Sequence, residues 1–122
     1  MKIAYIAHPV GGDAKRNLEK IRNIIREINL TEPNIIPFAS YWVDCHALDD
    51  GIREERERGI KNNKEFFIRK VFDELHLYGN KISVGMLGEI ELAYKLHIPI
   101  IAMTTETKVL LPAILASIEK QG

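Results

Sequence analysis

Two apolar runs flank a helix-like segment with an early serine and glycine, and this pattern restricts the folds open to the chain. The runs are 74–79 and 98–103, and the segment between them is 83–93. A strand, a Ser/Gly turn, a helix and a second strand make the βαβ unit of a parallel sheet. Ser83 offers a side-chain oxygen to the free amides of the helix start. That start is therefore predicted at the carboxyl end of a strand, where open α/β sheets bind ligands.

Glu89 is the unusual residue of this helix. At about 3.6 residues per turn, Glu89 projects onto the apolar arc between Ala93 and Leu96, whereas Glu91 projects to the other side, beside Lys95. Burying a carboxylate is costly unless a partner or a chemical role compensates. Two interpretations therefore stay open. Glu89 is either a functional carboxylate that faces the sheet, or a residue at the edge of the arc that reaches solvent or a basic partner.

The remaining segments predict two more strands and three more helices. Apolar runs at 3–7 and 34–38 predict strands, and Pro37 favours an edge position for the second. Asp13 is predicted to cap the first helix, and the polar stretch 53–58 to open an exposed helix that later gains an apolar side. Because proline is tolerated near a helix start, the last helix is predicted to begin around 110–112 and to run to Lys120.

These elements predict one α/β domain over residues 1–122, with about four parallel strands and four helices. Right-handed crossovers favour a compact doubly wound, flavodoxin- or Rossmann-like three-layer sandwich with strand order 2-1-3-4. In that order the carboxyl ends of the first and third strands are neighbours. The turn at 8–12 is then expected to face the segment 83–89 across the switch point of the sheet.

Composition excludes several classes of function. The chain has 17 basic and 17 acidic residues, so no basic excess drives binding to nucleic acid. No apolar run approaches the ~20 residues of a membrane span. The single Cys45 cannot form an internal disulfide, which favours a reducing cytoplasm. No second ligand pair accompanies Cys45 and His46 at zinc-like spacing, so neither a metal site nor a cofactor is predicted.

Two loops are candidates for ligand binding. The turn with Gly11 and Gly12 follows the first strand, and free amides there suit an anion such as a 5′-phosphate. The alternative is that this turn, like most Gly-Gly turns, only changes the direction of the chain and binds no ligand. In the stretch 39–51 the apolar residues show no clear helix or strand periodicity. Three aromatic side chains near its start either stack on a base as a pocket wall or pack the stretch onto the core or a second subunit: Phe38, Tyr41 and Trp42.

Two motifs in this order resemble the nucleoside 2-deoxyribosyltransferase superfamily, which includes deoxynucleoside 5′-monophosphate N-glycosidases. The first is Tyr5-Ile6-Ala7-His8-Pro9, and the second is Ser-x-Gly-Met-x-x-Glu-Ile-x-x-Ala at 83–93. The likeness spans about residues 1–102 and is strongest to small transferase-like members. It implies cleavage or transfer of the N-glycosidic bond of a nucleoside or nucleotide, without nucleic acid, membrane or cofactor, in a homodimer or larger homo-oligomer.

The resemblance also implies residue roles. Glu89 is expected to attack the anomeric carbon, and Tyr5 to hydrogen-bond and orient it. Glu65 lies close to the sequence position at which the glycosidase branch has its second acidic residue, but the helical projection of Glu65 points away from the apolar side. Asp73 is expected to have a structural role. The residues expected to bind substrate are His8, Pro9, Gly11, Gly12, Ser83, Gly85 and Met86.

Two further functional classes remain open. One is a catalytically silent nucleotide-binding or sensing module of the same fold, which keeps the pocket and releases no base. The other is a phosphate-loop protein of the lysine-decarboxylase-like type, whose signature Pro-Gly-Gly-x-Gly-Thr is absent from the chain.

Overall fold

A computed structural model describes residues 1–121 as four strands and five helices, with one or two helices after each strand. The strands are all parallel and lie in the order β2-β1-β3-β4, as predicted. In chain order the elements are β1 Lys2–Ala7, α1 Ala14–Thr31, β2 Ile35–Phe38, α2 Ser40–Ala47, α3 Arg53–Ile68, β3 Glu74–Leu77, α4 Val84–Lys95, β4 Ile100–Ala102 and α5 Thr105–Gln121.

Helices cover both faces of the sheet, which gives three layers. Ala4 and Ile6 of β1 are fully buried on one face, where they pack against Ile28 of α1. Tyr5 and Leu75 point to the other face, where α3, α4 and α5 cover them. Strand residues alternate between the two faces, so a single strand contributes to both cores. The short β2 lies at an edge of the sheet, as Pro37 predicts.

Four helices were predicted, and that number is wrong, because Ser40–Ala47 form an additional helix, α2. A helix of only two helical turns is too short to show an apolar stripe, so the sequence has no helical periodicity at α2. Its position depends on neighbours instead. Trp42 donates from Nε1 to the carbonyl of Leu18 in α1 at 3.2 Å, and Asp44 accepts from Nδ2 of Asn62 in α3 at 3.2 Å.

The predicted start of the last helix is also wrong, because α5 begins at Thr105 and contains Pro112 in its interior. Thr104 and Thr107 cap this start reciprocally: the amide of each donates to the hydroxyl of the other, at 3.1 and 3.2 Å. This arrangement is that of a capping box with Thr at its third position. Thr107 also donates to the carbonyl of Leu77 at 3.3 Å, which ties α5 to β3 upstream of the proline.

No helix among residues 1–121 is both long enough and apolar enough to cross a lipid bilayer.

Candidate active site

The topology brings two turns together at the carboxyl edge of the sheet. Ala7 of β1 pairs with Leu77 of β3, and the amide of Tyr78 donates to the carbonyl of Ala7 at 2.8 Å. The strands therefore end side by side, and the turns that follow them are neighbours. Gly79 makes this close approach possible, since an added Cβ would lie 2.6 Å from Cδ of Pro9 and the residue has a φ of +91°.

Helix α4 begins at this edge, as predicted. Ser83 is its N-cap and accepts a hydrogen bond from the amide of Met86 at 3.3 Å. Met86, Ile90 and Ala93 are buried against the sheet. Glu89 follows Met86 by three residues, so the helix places its side chain next to that buried row.

The carboxyl group of Glu89 reaches towards the sheet, and the residue as a whole is partly buried. Its Oε2 accepts a hydrogen bond from the hydroxyl of Tyr5, which is the contact that the resemblance implies for this pair. Asn63 of α3 donates from Nδ2 to the Tyr5 hydroxyl at 2.9 Å and to the same Glu89 oxygen at 3.5 Å. Ser40 donates to Oδ1 of Asn63, which fixes the orientation of the amide. A carboxyl group, a phenol and an amide thus form one connected cluster, while the catalytic role of Glu89 stays a prediction.

The environment of Glu89 favours its neutral form. Burial raises the pKa of Glu89 to about 7, and the hydrogen bonds from Tyr5 and Asn63 act in the opposite direction. Burial and the nearby Glu89 carboxylate raise the pKa of Tyr5 well above 10. Tyr5 therefore stays protonated and donates a hydrogen bond to Glu89. Tyr41 has a pKa raised for the same two reasons, and its hydroxyl donates to the carbonyl of Ile6 at 2.6 Å.

A cavity of about 440 Å³ lies beside the two turns, on the side of α1. It brings together four of the residues expected to bind substrate, namely His8, Pro9, Gly11 and Gly12. Glu89 does not line this cavity. Its other lining residues are Asp13, Asn17, Lys20, Gly79, Asn80 and Lys81.

The other three residues expected to bind substrate lie outside the cavity. The Ser83 hydroxyl is used by its capping hydrogen bond, and Gly85 is exposed beside it. The Met86 side chain is 1 % exposed and belongs to the core. The helix start turns this side chain towards the sheet, so any role of Met86 in substrate binding stays a prediction.

The three candidate aromatic residues have separate surroundings. Phe38 is partly buried and packs against the core, with its ring centroid 5.7 Å from that of Phe66 and 5.9 Å from that of Phe72. Trp42 packs α2 onto α1. Of the two alternatives that the sequence left open for Phe38 and Trp42, the structure therefore shows packing onto the rest of the domain. Tyr41 alone lies next to the Tyr5–Glu89 pair, with its ring centroid 5.6 Å from that of Tyr5.

The remaining acidic candidates have structural contacts. Glu65 is exposed and forms an ion pair with Arg69 at 2.8 Å, away from Glu89. Asp73 accepts a hydrogen bond from the amide of Ile3 at 2.8 Å, where it extends the pairing of β1. Within residues 1–121, no group of three or more His, Cys, Asp or Glu side chains is arranged to hold a metal ion.

Asn63 is the site residue that the sequence predictions missed. It lies three residues after Ile60 and four before Phe67, which are both on the apolar side of α3. A polar side chain on an apolar helix face is the same signal that singled out Glu89. Ser40 gave no such signal, because its helix is too short to have a pattern.

Residues 2–103 match the family described as Domain of unknown function (DUF7768), which covers most of the chain. No curated protein and no solved structure matches the chain.

Proposed function

The chain belongs to the DUF7768 family, and we propose that it cleaves the N-glycosidic bond of a nucleoside or a nucleoside 5′-monophosphate. Glu89 acts as the nucleophile, and the reaction passes through a covalent ester between Glu89 and the sugar. The acceptor is water in a hydrolase or a second base in a transferase. The substrate is a small molecule.

The observation that carries this proposal is the set of partners of Glu89. A buried carboxylate with a purely structural role is usually neutralised by a cation. Among residues 1–121, Glu89 forms no ion pair, and its hydrogen bonds come from the neutral groups of Tyr5 and Asn63. Such neutral donors orient the carboxylate without cancelling its charge. The charge is then free to act on a positive centre in a bound substrate.

The cleavage of an N-glycosidic bond creates that positive centre. As the bond between the sugar and the base breaks, the anomeric carbon acquires oxocarbenium character, and a carboxylate beside it stabilises the charge. The free oxygen of Glu89 forms a bond to the anomeric carbon, and the bonding electron pair leaves with the base. Water then adds its hydroxyl to the anomeric carbon. Its proton balances the charge of the released base, and the Glu89 carboxylate is regenerated.

Tyr5 and Asn63 are positioning residues in this scheme. Both contact Oε2 of Glu89, which leaves Oε1 as the attacking atom. Because the pKa of Glu89 is about 7, about half of the molecules carry the reactive carboxylate at that pH. Base release is therefore expected to rise with pH through about 7 and to level off above it.

The compartment and the assembly are part of the same proposal. A lone exposed cysteine, Cys45, fits the reducing cytoplasm, where nucleotide pools are accessible to the enzyme. The resemblance to the transferase superfamily supports a homodimer or a larger homo-oligomer.

The test is a panel of ribo- and deoxyribonucleosides and their 5′-monophosphates, with free base measured by chromatography. Half of the reactions include a second base as acceptor. Free base is expected from the wild type and from Glu91→Gln, an exposed carboxylate of the same helix, and not from Glu89→Gln. A new nucleoside in the acceptor reactions would identify a transferase.

The absence of free base in every reaction of the panel would contradict the proposal. If one nucleotide then raises the melting temperature of the wild type and of Glu89→Gln equally, the chain is a nucleotide-binding module without turnover.

A further inference from the structure

The outer side of β4 is an open edge of the sheet, because β4 is the last strand in the order β2-β1-β3-β4. The backbone groups of Pro99 and Met103 form hydrogen bonds with β3. Since these groups alternate in direction along a strand, the amides and carbonyls of Ile100 and Ala102 point away from β3. No strand within residues 1–121 pairs with them. Such an edge is a template for a further strand.

A groove of about 530 Å³ lies between this edge and α5. All three residues of β4 line it, together with one face of α5, here called the groove face. The groove face follows the i, i+3, i+4, i+7, i+8, i+11 spacing of one side of a helix and consists of Lys108, Leu111, Pro112, Leu115, Ala116 and Glu119. Ile101 is 37 % exposed, and Pro112 and Ala116 are exposed as well. The edge and the groove face therefore form one accessible, largely apolar surface.

The two charged residues lie at opposite ends of the groove face. Lys108 and Glu119 are exposed and about three helical turns apart. Neither forms an ion pair within residues 1–121. A second α5 packed antiparallel against the first would bring each Lys108 to the partner's Glu119. The groove face is therefore complementary to itself in charge.

The apolar residues of the groove face fit the same antiparallel register. Leu111 then lies opposite the partner's Ala116, and Pro112 lies opposite the partner's Leu115. A large side chain meets a small one in the first of these pairs, as close packing between helices requires.

β4 is complementary to itself in the same orientation. In an antiparallel pair centred on Ile101, Ile100 lies opposite the partner's Ala102, and the two residues exchange both backbone hydrogen bonds. Symmetry repeats this exchange, which satisfies the outward amides and carbonyls of both strands. Ile101 meets the partner's Ile101 where the two strands approach most closely.

We propose that β4 and the groove face of α5 form the interface of a two-fold symmetric homodimer, in which antiparallel β4 strands join the two sheets into one. A two-fold axis makes every contact twice, as the self-complementary registers of β4 and α5 require. Pairing also removes the open edge of the sheet. This interface deepens the assembly proposed above by naming its surface. Its residues lie outside the Glu89 cluster, so it does not rest on the cleavage reaction and is tested without substrate.

Analytical ultracentrifugation tests the assembly and the groove face. The wild type at micromolar concentration is expected to have about twice the 13.9 kDa mass of one chain. Ala116→Glu places an unpaired carboxylate beside the partner's Leu111 and is expected to weaken the dimer about a hundredfold. Ala113→Glu is the matched control, because Ala113 is also an exposed alanine of α5 but does not line the groove. Both positions are exposed, so both variants are expected to fold.

Charge reversal tests the antiparallel register of α5 in the same assay. Lys108→Glu and Glu119→Lys each oppose like charges at both ends of the interface, so each is expected to weaken the dimer about tenfold. The double variant, Lys108→Glu with Glu119→Lys, restores opposite charges. Its dissociation constant is expected to return to within about threefold of the wild-type value.

Cysteine crosslinking tests the register of β4. In a Cys45→Ser background, Ile101→Cys places its sulfur opposite that of the partner and is expected to form an intermolecular disulfide on oxidation. Met103→Cys is the control, since Met103 is 40 % exposed. In the proposed register it lies about 13 Å along the strands from the partner's Met103, beyond the ~7 Å that a disulfide spans between Cα atoms.

The proposal is overturned if the wild type sediments as a single chain at micromolar concentration, or if Ala113→Glu dissociates the dimer as much as Ala116→Glu. It is also overturned if the double charge variant stays as weak as the single variants, or if Met103→Cys crosslinks as readily as Ile101→Cys. A chain that gives the predicted results here but releases no base from any nucleotide would refute the cleavage reaction and leave the interface supported.

Discussion

Replacing Glu89 by Gln is expected to stabilise the protein at neutral and alkaline pH. The side chain keeps its shape and an oxygen for the hydrogen bonds from Tyr5 and Asn63, but it loses the ability to ionise in a buried position. Burial raises the pKa of Glu89 from its ordinary value of 4.5 to about 7. One pKa unit corresponds to about 1.4 kcal/mol, so the difference amounts to about 3 kcal/mol.

The direction follows from the linkage between protonation and folding. Below pH 4.5 the carboxyl group is protonated in both the folded and the unfolded chain, and its contribution to stability is fully present. Between pH 4.5 and about 7 the unfolded chain releases its proton first, so the wild type loses stability as the pH rises. Glu89→Gln has no such loss. The variant is therefore expected to match the wild type near pH 4.5 and to exceed it by about 3 kcal/mol at pH 8.

Urea unfolding at several pH values measures this difference. Trp42 is the single tryptophan and is partly buried in the contact between α1 and α2, so its fluorescence reports the loss of native packing. Comparing the variant with the wild type at each pH cancels the titration of all other groups. Glu91→Gln is the control, because it removes an exposed carboxylate from the same helix. A constant difference for Glu89→Gln between pH 4.5 and pH 8 would refute the reasoning.

Two further perturbations test the site and its support. Tyr5→Phe removes a hydrogen bond that lowers the pKa of Glu89, so the midpoint of the pH profile of kcat/KM is expected to move above 7, and an unchanged or lower midpoint contradicts the contact. Gly79→Ala is expected to destabilise the fold by about 3 kcal/mol in urea, because its φ is +91° and the new Cβ would lie 2.6 Å from Pro9. Gly88→Ala in α4 meets no atom within 4 Å and is expected to stabilise it by about 0.5–1 kcal/mol; equal effects at the two glycines would contradict this account.

The sheet was predictable from sequence because its strands are short apolar runs separated by clear turn and cap residues. The order 2-1-3-4 then followed from the handedness of the crossovers. The errors arose where tertiary contacts decide local structure. Helix α2 depends on contacts with α1 and α3, and α5 extends through Pro112 because Thr104 and Thr107 anchor its first turn.

The residue pattern predicted the candidate site only where a polar side chain interrupted the apolar face of a helix. Glu89 broke the apolar arc of α4, and its contact with Tyr5 is present. Asn63 broke the apolar side of α3 in the same way and was overlooked. No pattern within one helix reveals that Lys20 of α1 and Lys81 of a distant turn line the same cavity.

The most direct test of the proposed function is mass spectrometry of the enzyme quenched in acid during turnover of the substrate that the panel identifies. The account predicts an added sugar mass on the peptide that contains Glu89 in the wild type, and its absence in Glu89→Gln. Release of base by Glu89→Gln at the wild-type rate, or a sugar adduct on a different residue, would contradict the assignment of Glu89 as the nucleophile.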